Sequence, residues 1–223
     1  MMSTRISKRI GFWSSSLWAA LGTVYLAVLV VHFSTAGFSA PTTPFVETSA
    51  GILTILSAPV FLVMFAVIAH LAPKERGVYG TIGLSFCILY VAMVSINRFV
   101  QLTVVRLSSQ AEQSADLARF LPYAPGSVMF ALEILGWGFF LSLACLFVAP
   151  LFSGSSLRRS IRWLFVLFAL FSFTSVVGLA TQTPVGAAAF VAWGPIAVVL
   201  SVLLAVLFRR GDLPSLREET AVA

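Results

Sequence analysis

Two opposite charges stand inside apolar stretches of this 223-residue chain, and their spacing makes them the first candidates for chemistry. Glu133 lies in Phe130-Ala131-Leu132-Glu133-Ile134-Leu135-Gly136-Trp137, and Arg98 in Ile96-Asn97-Arg98-Phe99-Val100-Gln101. A charged side chain at membrane depth is costly, so it is retained where a partner, a ligand or a pathway needs it. At 1.5 Å per residue, Glu133 falls roughly 9 Å and Arg98 roughly 10 Å from the outer ends of their segments. The segments are consecutive and antiparallel, so the two charges are expected at matching depth on helices that touch. Gln101 follows Asn97 by four residues and Arg98 by three, and Tyr90 precedes Asn97 by seven. Those spacings place all four on one broad helical face.

A carboxyl group among apolar and aromatic side chains can serve as a proton donor, and aromatic faces stabilise a developing carbocation. Glu133 is therefore the candidate catalytic acid, with Trp137 one turn below it and Phe130, Phe139, Phe140 and Trp193 on nearby turns. Arg98, Asn97, Gln101, Tyr90, Trp137 and Trp193 are the candidate substrate-binding residues. His32 and Tyr25 at the outer end of the first span join them, as does Glu47 ahead of the second. Pro59 and Gly194-Pro195 are expected to open their helices locally and free backbone groups that must face protein or water. The expectation is an outer-half pocket, polar on one wall and aromatic elsewhere, for a lipophilic small molecule. Such parts suit metal-independent, acid-catalysed cyclisation of an isoprenoid, as in small integral membrane terpene cyclases; the likeness is one of chemical parts. A direct Arg98–Glu133 pair would hold the carboxylate and remove that acid role.

Two other readings stay open. A small-solute transporter, or the membrane substrate-binding subunit of one, would use the outward-facing polar group for capture and Glu133 for ion coupling. A non-catalytic membrane scaffold would use Glu133–Arg98 only to set the register of two helices.

Several chemistries lack their residues. There is no HExxH and no carboxylate cluster for a metal, and the only aspartates are Asp116 and Asp212. No GxSxG supports serine chemistry. No span carries a lysine for a Schiff base, and two distant histidines do not suit haem ligation. Cys87 and Cys145 lie in apolar spans and form no CxxC, as small buried side chains would. No metal and no cofactor is expected.

The elements that must position these residues follow from composition. The chain is 59% hydrophobic and 10% charged, with a mean hydropathy of +1.00. A soluble domain would carry about 25% charged residues. The fold class is therefore all-α: a polytopic bundle of six transmembrane helices. The spans are expected at 13–33, 50–71, 78–105, 127–150, 161–179 and 187–208, making a membrane domain of 13–208 between a cytoplasmic segment 1–12 and a cytoplasmic tail 209–223.

Charge orients the bundle. With the N-terminus inside, Arg5, Lys8, Arg9, Lys74, Arg76, Arg158, Arg159, Arg162, Arg209, Arg210 and Arg217 are cytoplasmic, and only Arg98, Arg106 and Arg119 are not. That bias places both termini in the cytoplasm of a cell inner membrane protein. The same arrangement accounts for the net charge of +6, so no nucleic-acid partner is implied. The basic start, apolar core and Ser34-Thr35-Ala36 also have the layout of a cleavable leader, although the apolar stretch is longer than a leader's core. The outer loop is expected at Ser34–Ser49, a short surface helix at Ser108–Pro122, and close packing at Gly77, Gly80 and Gly83.

The segments His70-Leu71-Ala72-Pro73-Lys74-Glu75-Arg76, Ile82-Gly83-Leu84-Ser85-Phe86 and Phe99-Val100-Gln101-Leu102-Thr103-Val104-Val105 resemble those of a group of small uncharacterised bacterial six-helix integral membrane proteins. The likeness extends through the fourth span to the basic turn near Arg158. It implies the six-span layout and carries no activity with it.

Overall fold

In a medium without water every backbone N–H and C=O must be met within the protein, and for long, non-alternating apolar runs such as these the helix is the form that does so. The computed structural model describes residues 4–37, 43–106, 120 and 126–212, and among them there is no strand. Six helices are long and apolar enough to cross a membrane. We number them α1 (Thr4–Ala36), α2 (Pro44–His70), α3 (Gly77–Val100), α4 (Val128–Leu151), α5 (Ser156–Thr181) and α6 (Pro184–Arg210). The chain is a multi-pass helical membrane protein.

The helices reach beyond the apolar cores of the spans. The first connection is a correction to the expected loop Ser34–Ser49, because α1 runs to Ala36 and α2 starts at Pro44. The cause is local: the Thr43 hydroxyl accepts the N–H of Val46 at 3.4 Å, and Pro44 occupies the first helical position, where its missing N–H costs nothing. Glu47 thus belongs to the first turn of α2, where the helix dipole favours an acid. The proposed surface helix Ser108–Pro122 lies outside the described residues, apart from Phe120. At the other end α6 closes on Gly211, whose φ of +67° is the left-handed cap conformation that glycine takes most readily.

Each helix packs on its neighbour in sequence, and α1 closes the ring against α6. The ring is filled. Trp18 of α1 meets Phe61 of α2 at 4.7 Å, Phe61 meets Tyr90 of α3 at 5.5 Å, and Tyr90 meets Trp137 of α4 at 5.0 Å. Trp137 meets Trp193 of α6 at 5.9 Å, while Phe65 of α2 reaches Phe165 of α5 at 6.1 Å. Aromatic contacts therefore join all six helices through the centre. The outside is apolar as well: Phe45, Phe99, Trp13, Trp163 and Phe190 are exposed, as lipid-facing residues are.

The end of the bundle that carries both termini is tied by polar contacts. Arg76 Nη1 donates to the Pro150 carbonyl at 2.9 Å and to Ser153 Oγ at 3.0 Å, joining the α2–α3 and α4–α5 turns. Arg158, buried, pairs with Asp212 at 3.4 Å and fastens the end of α6 to the start of α5.

Pro59 sits within α2 without breaking it, which corrects the expectation of a local opening there. Pro195 behaves differently and lies in a π-helical turn, Ala192–Ile196, whose wider winding relieves the ring's clash with the preceding turn. Of the three glycines at the start of α3, two permit close approach. A Cβ on Gly80 would lie 2.9 Å from Ala69 Cα, and one on Gly83 would lie 2.6 Å from Val148 Cγ1. Gly77 has nothing within 4 Å. Gly80→Ala is therefore expected to lower stability by about 1–3 kcal/mol through overpacking against backbone, while Gly77→Ala leaves it unchanged or slightly raised. Thermal unfolding in mild detergent measures both; equal melting of wild type and Gly80→Ala would refute the close α2–α3 contact.

Candidate functional site

α3 presents Asn97, Arg98 and Gln101 at the spacing i, i+1 and i+4, and α4 presents Glu133 opposite them. The four side chains close a ring of hydrogen bonds. Arg98 Nη2 donates to Glu133 Oε1, and Arg98 Nη1 donates to Gln101 Oε1 at 2.7 Å. Gln101 Nε2 donates to Asn97 Oδ1 at 3.0 Å, and Asn97 Nδ2 returns to Glu133 Oε2. Both carboxylate oxygens are thereby engaged. Asn97 is fully buried, Arg98 is 2% exposed and Glu133 7% exposed. Desolvating two ions costs several kcal/mol each, and their attraction offsets that only where geometry is close and further hydrogen bonds complete the set. The flanking amides of Asn97 and Gln101 supply those bonds.

The local winding changes at this level. α3 passes into a π-helical stretch at Gln101–Val105, and α4 into another at Leu135–Phe140, directly after Glu133. Gly136 and Gly138 make the second one compact. A Cβ on Gly136 would lie 3.0 Å from Val94 Cγ2 of α3, and one on Gly138 would lie 2.3 Å from Ser175 Oγ of α5. The backbone of α4 is thus wedged between its two neighbours.

Below the ring the aromatic candidates fill space against one another. Tyr90 is fully buried and packs edge-on against Trp137, and Trp137 packs against Trp193. The other three candidates lie on different helices. His32 is buried near the C-terminal end of α1 with its ring on Phe33, Tyr25 is half-buried on α1, and Glu47 is half-buried in the first turn of α2. The structure brings Asn97, Arg98, Gln101 and Glu133 into one bonded group. It brings Tyr90, Trp137 and Trp193 into one aromatic row. Among the described residues no group of three His, Cys, Asp or Glu assembles that could hold a metal ion.

A set of serines also belongs to the site. Ser172 Oγ of α5 donates to the Trp137 carbonyl at 2.7 Å and accepts Trp193 Nε1–H at 2.6 Å, linking α4, α5 and α6 through one atom. One turn toward the terminal end, Ser142 Oγ reaches the Ala169 carbonyl of α5 at 3.0 Å. The signal in the sequence was the row Ser172 and Ser175, small polar residues three apart, facing Gly136-Trp137-Gly138 on the preceding span.

This fold and site define a six-span membrane bundle with a buried, charge-paired polar ring. The chain matches no protein-family model, no curated protein and no solved structure.

Replacing Ser172 by Ala leaves the Trp193 indole N–H without its acceptor and removes the bond to Trp137. The expected cost is about 1–3 kcal/mol, the usual range for a buried group left unmet. Trp193→Phe in the Ser172→Ala background should cost less than the two single changes summed, because the orphaned donor is gone. Denaturation of the four proteins in detergent gives the cycle, and strict additivity would show that the bond contributes nothing.

Proposed function

We propose that this protein is a non-catalytic subunit or scaffold of the cytoplasmic membrane, in which Glu133 and Arg98 clasp α3 to α4 and fix the outer half of the bundle. The observation that carries this reading is the closed ring, which occupies both oxygens of Glu133. An acid-catalysed isoprenoid cyclase needs a carboxyl with a proton to give and aromatic faces open to a cation. Here the carboxylate is held by a guanidinium and an amide, and Tyr90, Trp137 and Trp193 face one another. The chemical parts expected of a cyclase are present, but their arrangement supports a fastening role better.

One observation favours transport as a second reading. Three helices carry π-helical turns in their outer halves, at Gln101–Val105, Leu135–Phe140 and Ala192–Ile196. Such turns are frequent at functional sites and offer places where a helix can change register. In that reading the ring is a gate, and a captured solute would part Glu133 from Arg98.

A double-substitution cycle decides between them. For a clasp, Glu133→Gln and Arg98→Gln each leave one buried charge uncompensated and should lower stability by about 3–5 kcal/mol, with the double change recovering most of it. A gate opens at little cost, so single changes that melt like wild type would sink the clasp and favour transport.

The distribution of basic residues supports placing both termini in the cytoplasm. A C-terminal reporter that is active only in the cytoplasm should therefore be active, and one that needs export should be silent. The reverse pattern would invert the topology.

A further inference from the structure

Near the terminal end of the bundle, α5 carries a face that no other helix covers among the described residues. Ser156, Arg159, Ser160, Trp163, Leu164 and Leu167 line an open groove on the outside of the molecule. They recur at i, i+3, i+4, i+7, i+8 and i+11, a single stripe of one helix. Arg159 and Ser160 are exposed, Trp163 is 61% exposed and Leu167 40%. The preceding residue, Arg158, turns inward to Asp212. Among the described residues neither ion pair involves Arg159.

We propose that this groove is a binding site for one anionic phospholipid. Its phosphate lies at Arg159 between the hydroxyls of Ser156 and Ser160, and an acyl chain lies along Trp163, Leu164 and Leu167. Three features select this occupant. The first is charge: the terminal end of the bundle exposes Arg5, Arg9, Lys74, Arg76, Arg159, Arg162, Arg209 and Arg210, against Glu75 alone among exposed acids in the described residues. An arginine fork with flanking hydroxyls is suited to phosphate oxygens.

The second is length. From Arg159 to Leu167 the stripe descends about 12 Å, less than half of a hydrocarbon core about 30 Å thick, so it stays within one leaflet. Trp163 then sits about one turn below Arg159, within the range where indoles anchor at the interface. The third is the exclusion of a second copy. Two copies in one membrane share an orientation, so a symmetric contact through this stripe would set Arg159 against Arg159 at the same depth, a like-charge pairing that an anionic lipid relieves.

Native mass spectrometry of the full-length protein in mild detergent tests the proposal, with dioleoyl-phosphatidylglycerol and dioleoyl-phosphatidylcholine supplied in equal amounts. Wild type should retain phosphatidylglycerol in preference. Arg159→Gln should cut that retention about fivefold, the effect of one basic residue near a lipid surface. Arg209→Gln removes the same charge from the same end and should leave retention unchanged. Trp163→Ala should weaken retention of both lipids. All three positions are exposed on the outside of the bundle, so the variants should melt like wild type, which thermal unfolding checks. Three outcomes would overturn the site: no preference in wild type, an equal loss in Arg209→Gln, or a wild-type dimer that Trp163→Ala converts to monomer. The last would assign the stripe to self-association.

Discussion

A guanidinium and a carboxylate buried together in hydrocarbon are held only if the groups around them finish what the pair leaves open. In this protein Asn97 and Gln101 do so, and three of the four members of the ring come from one helix. That geometry has consequences for the rest of the bundle. Glu133 is the single contribution of α4, so in the proposed clasp the ring sets the rotation of α4 about its own axis relative to α3. With that rotation set, Gly136 turns to Val94, Gly138 turns to Ser175, and Trp137 projects between Tyr90 and Trp193. The Trp137 carbonyl then meets Ser172, and Ser172 meets the Trp193 indole. On the proposed reading, one buried pair fixes the register of α4 on α3 and, through α4, helps to place α5 and α6.

The parts of this arrangement that could be read from the letters were those governed by simple arithmetic. Depth counted along two antiparallel spans predicts that Glu133 and Arg98 meet, and spacing within α3 predicts that Asn97 and Gln101 join them. The six helices were legible because apolar runs that long, without the alternation of a barrel strand, satisfy their backbone as helices. The helix starts were less so: the Thr43-Pro44 signal was present, yet the Pro/Thr-rich stretch around it has the composition of a loop. Pro59 and Pro195 look alike in sequence, and only the neighbouring helices decide that one sits in regular α-helix and the other in a π turn. The serine contacts were hidden for a related reason. Many serines and threonines here donate to a carbonyl three or four residues back, as Thr54 does to Ala50 and Ser175 to Ser172, so a hydroxyl that crosses to another helix is not distinguished by type. Aromatic density at one depth does not by itself tell a packed row from a cavity wall, and here Tyr90, Trp137 and Trp193 pack on one another while Gly136 and Gly138 bring the backbones close.

The two ends of the molecule manage charge in different ways. At the terminal end the cations are numerous and exposed, and the polar ties that close the bundle there, Arg76 to Pro150 and Ser153 and Arg158 to Asp212, lie among groups that water or lipid headgroups can reach. In the other half of the bundle the two buried charges among the described residues, Arg98 and Glu133, are opposite and sum to nothing. A net charge at that depth would draw water or ions into the bundle, whereas a neutral ring does not. The contrast lets the sequence be strongly basic overall while the cation buried in that half, Arg98, is balanced by Glu133.

There remains the question of why an ion pair is kept where a leucine and a phenylalanine of similar volume would cost less to bury. In water, hydrophobic patterning tells a helix which face to turn inward. In a bilayer that information fades, because lipid tails are as apolar as the core, and α1 to α6 expose large apolar side chains outward as well as inward. Helices built of Leu, Val and Phe on all sides can rotate or slide by a turn at little cost. Close-packed glycines narrow the choices, as Gly80 and Gly83 do for α3, but contact between smooth surfaces tolerates several registers. A charge pair inside a ring of directed hydrogen bonds tolerates one, since a slip of one residue strands both ions in hydrocarbon. The energy of such a ring acts less by deepening the native minimum than by raising every alternative to it. That is the role expected of a polar group in a protein whose solvent is itself apolar.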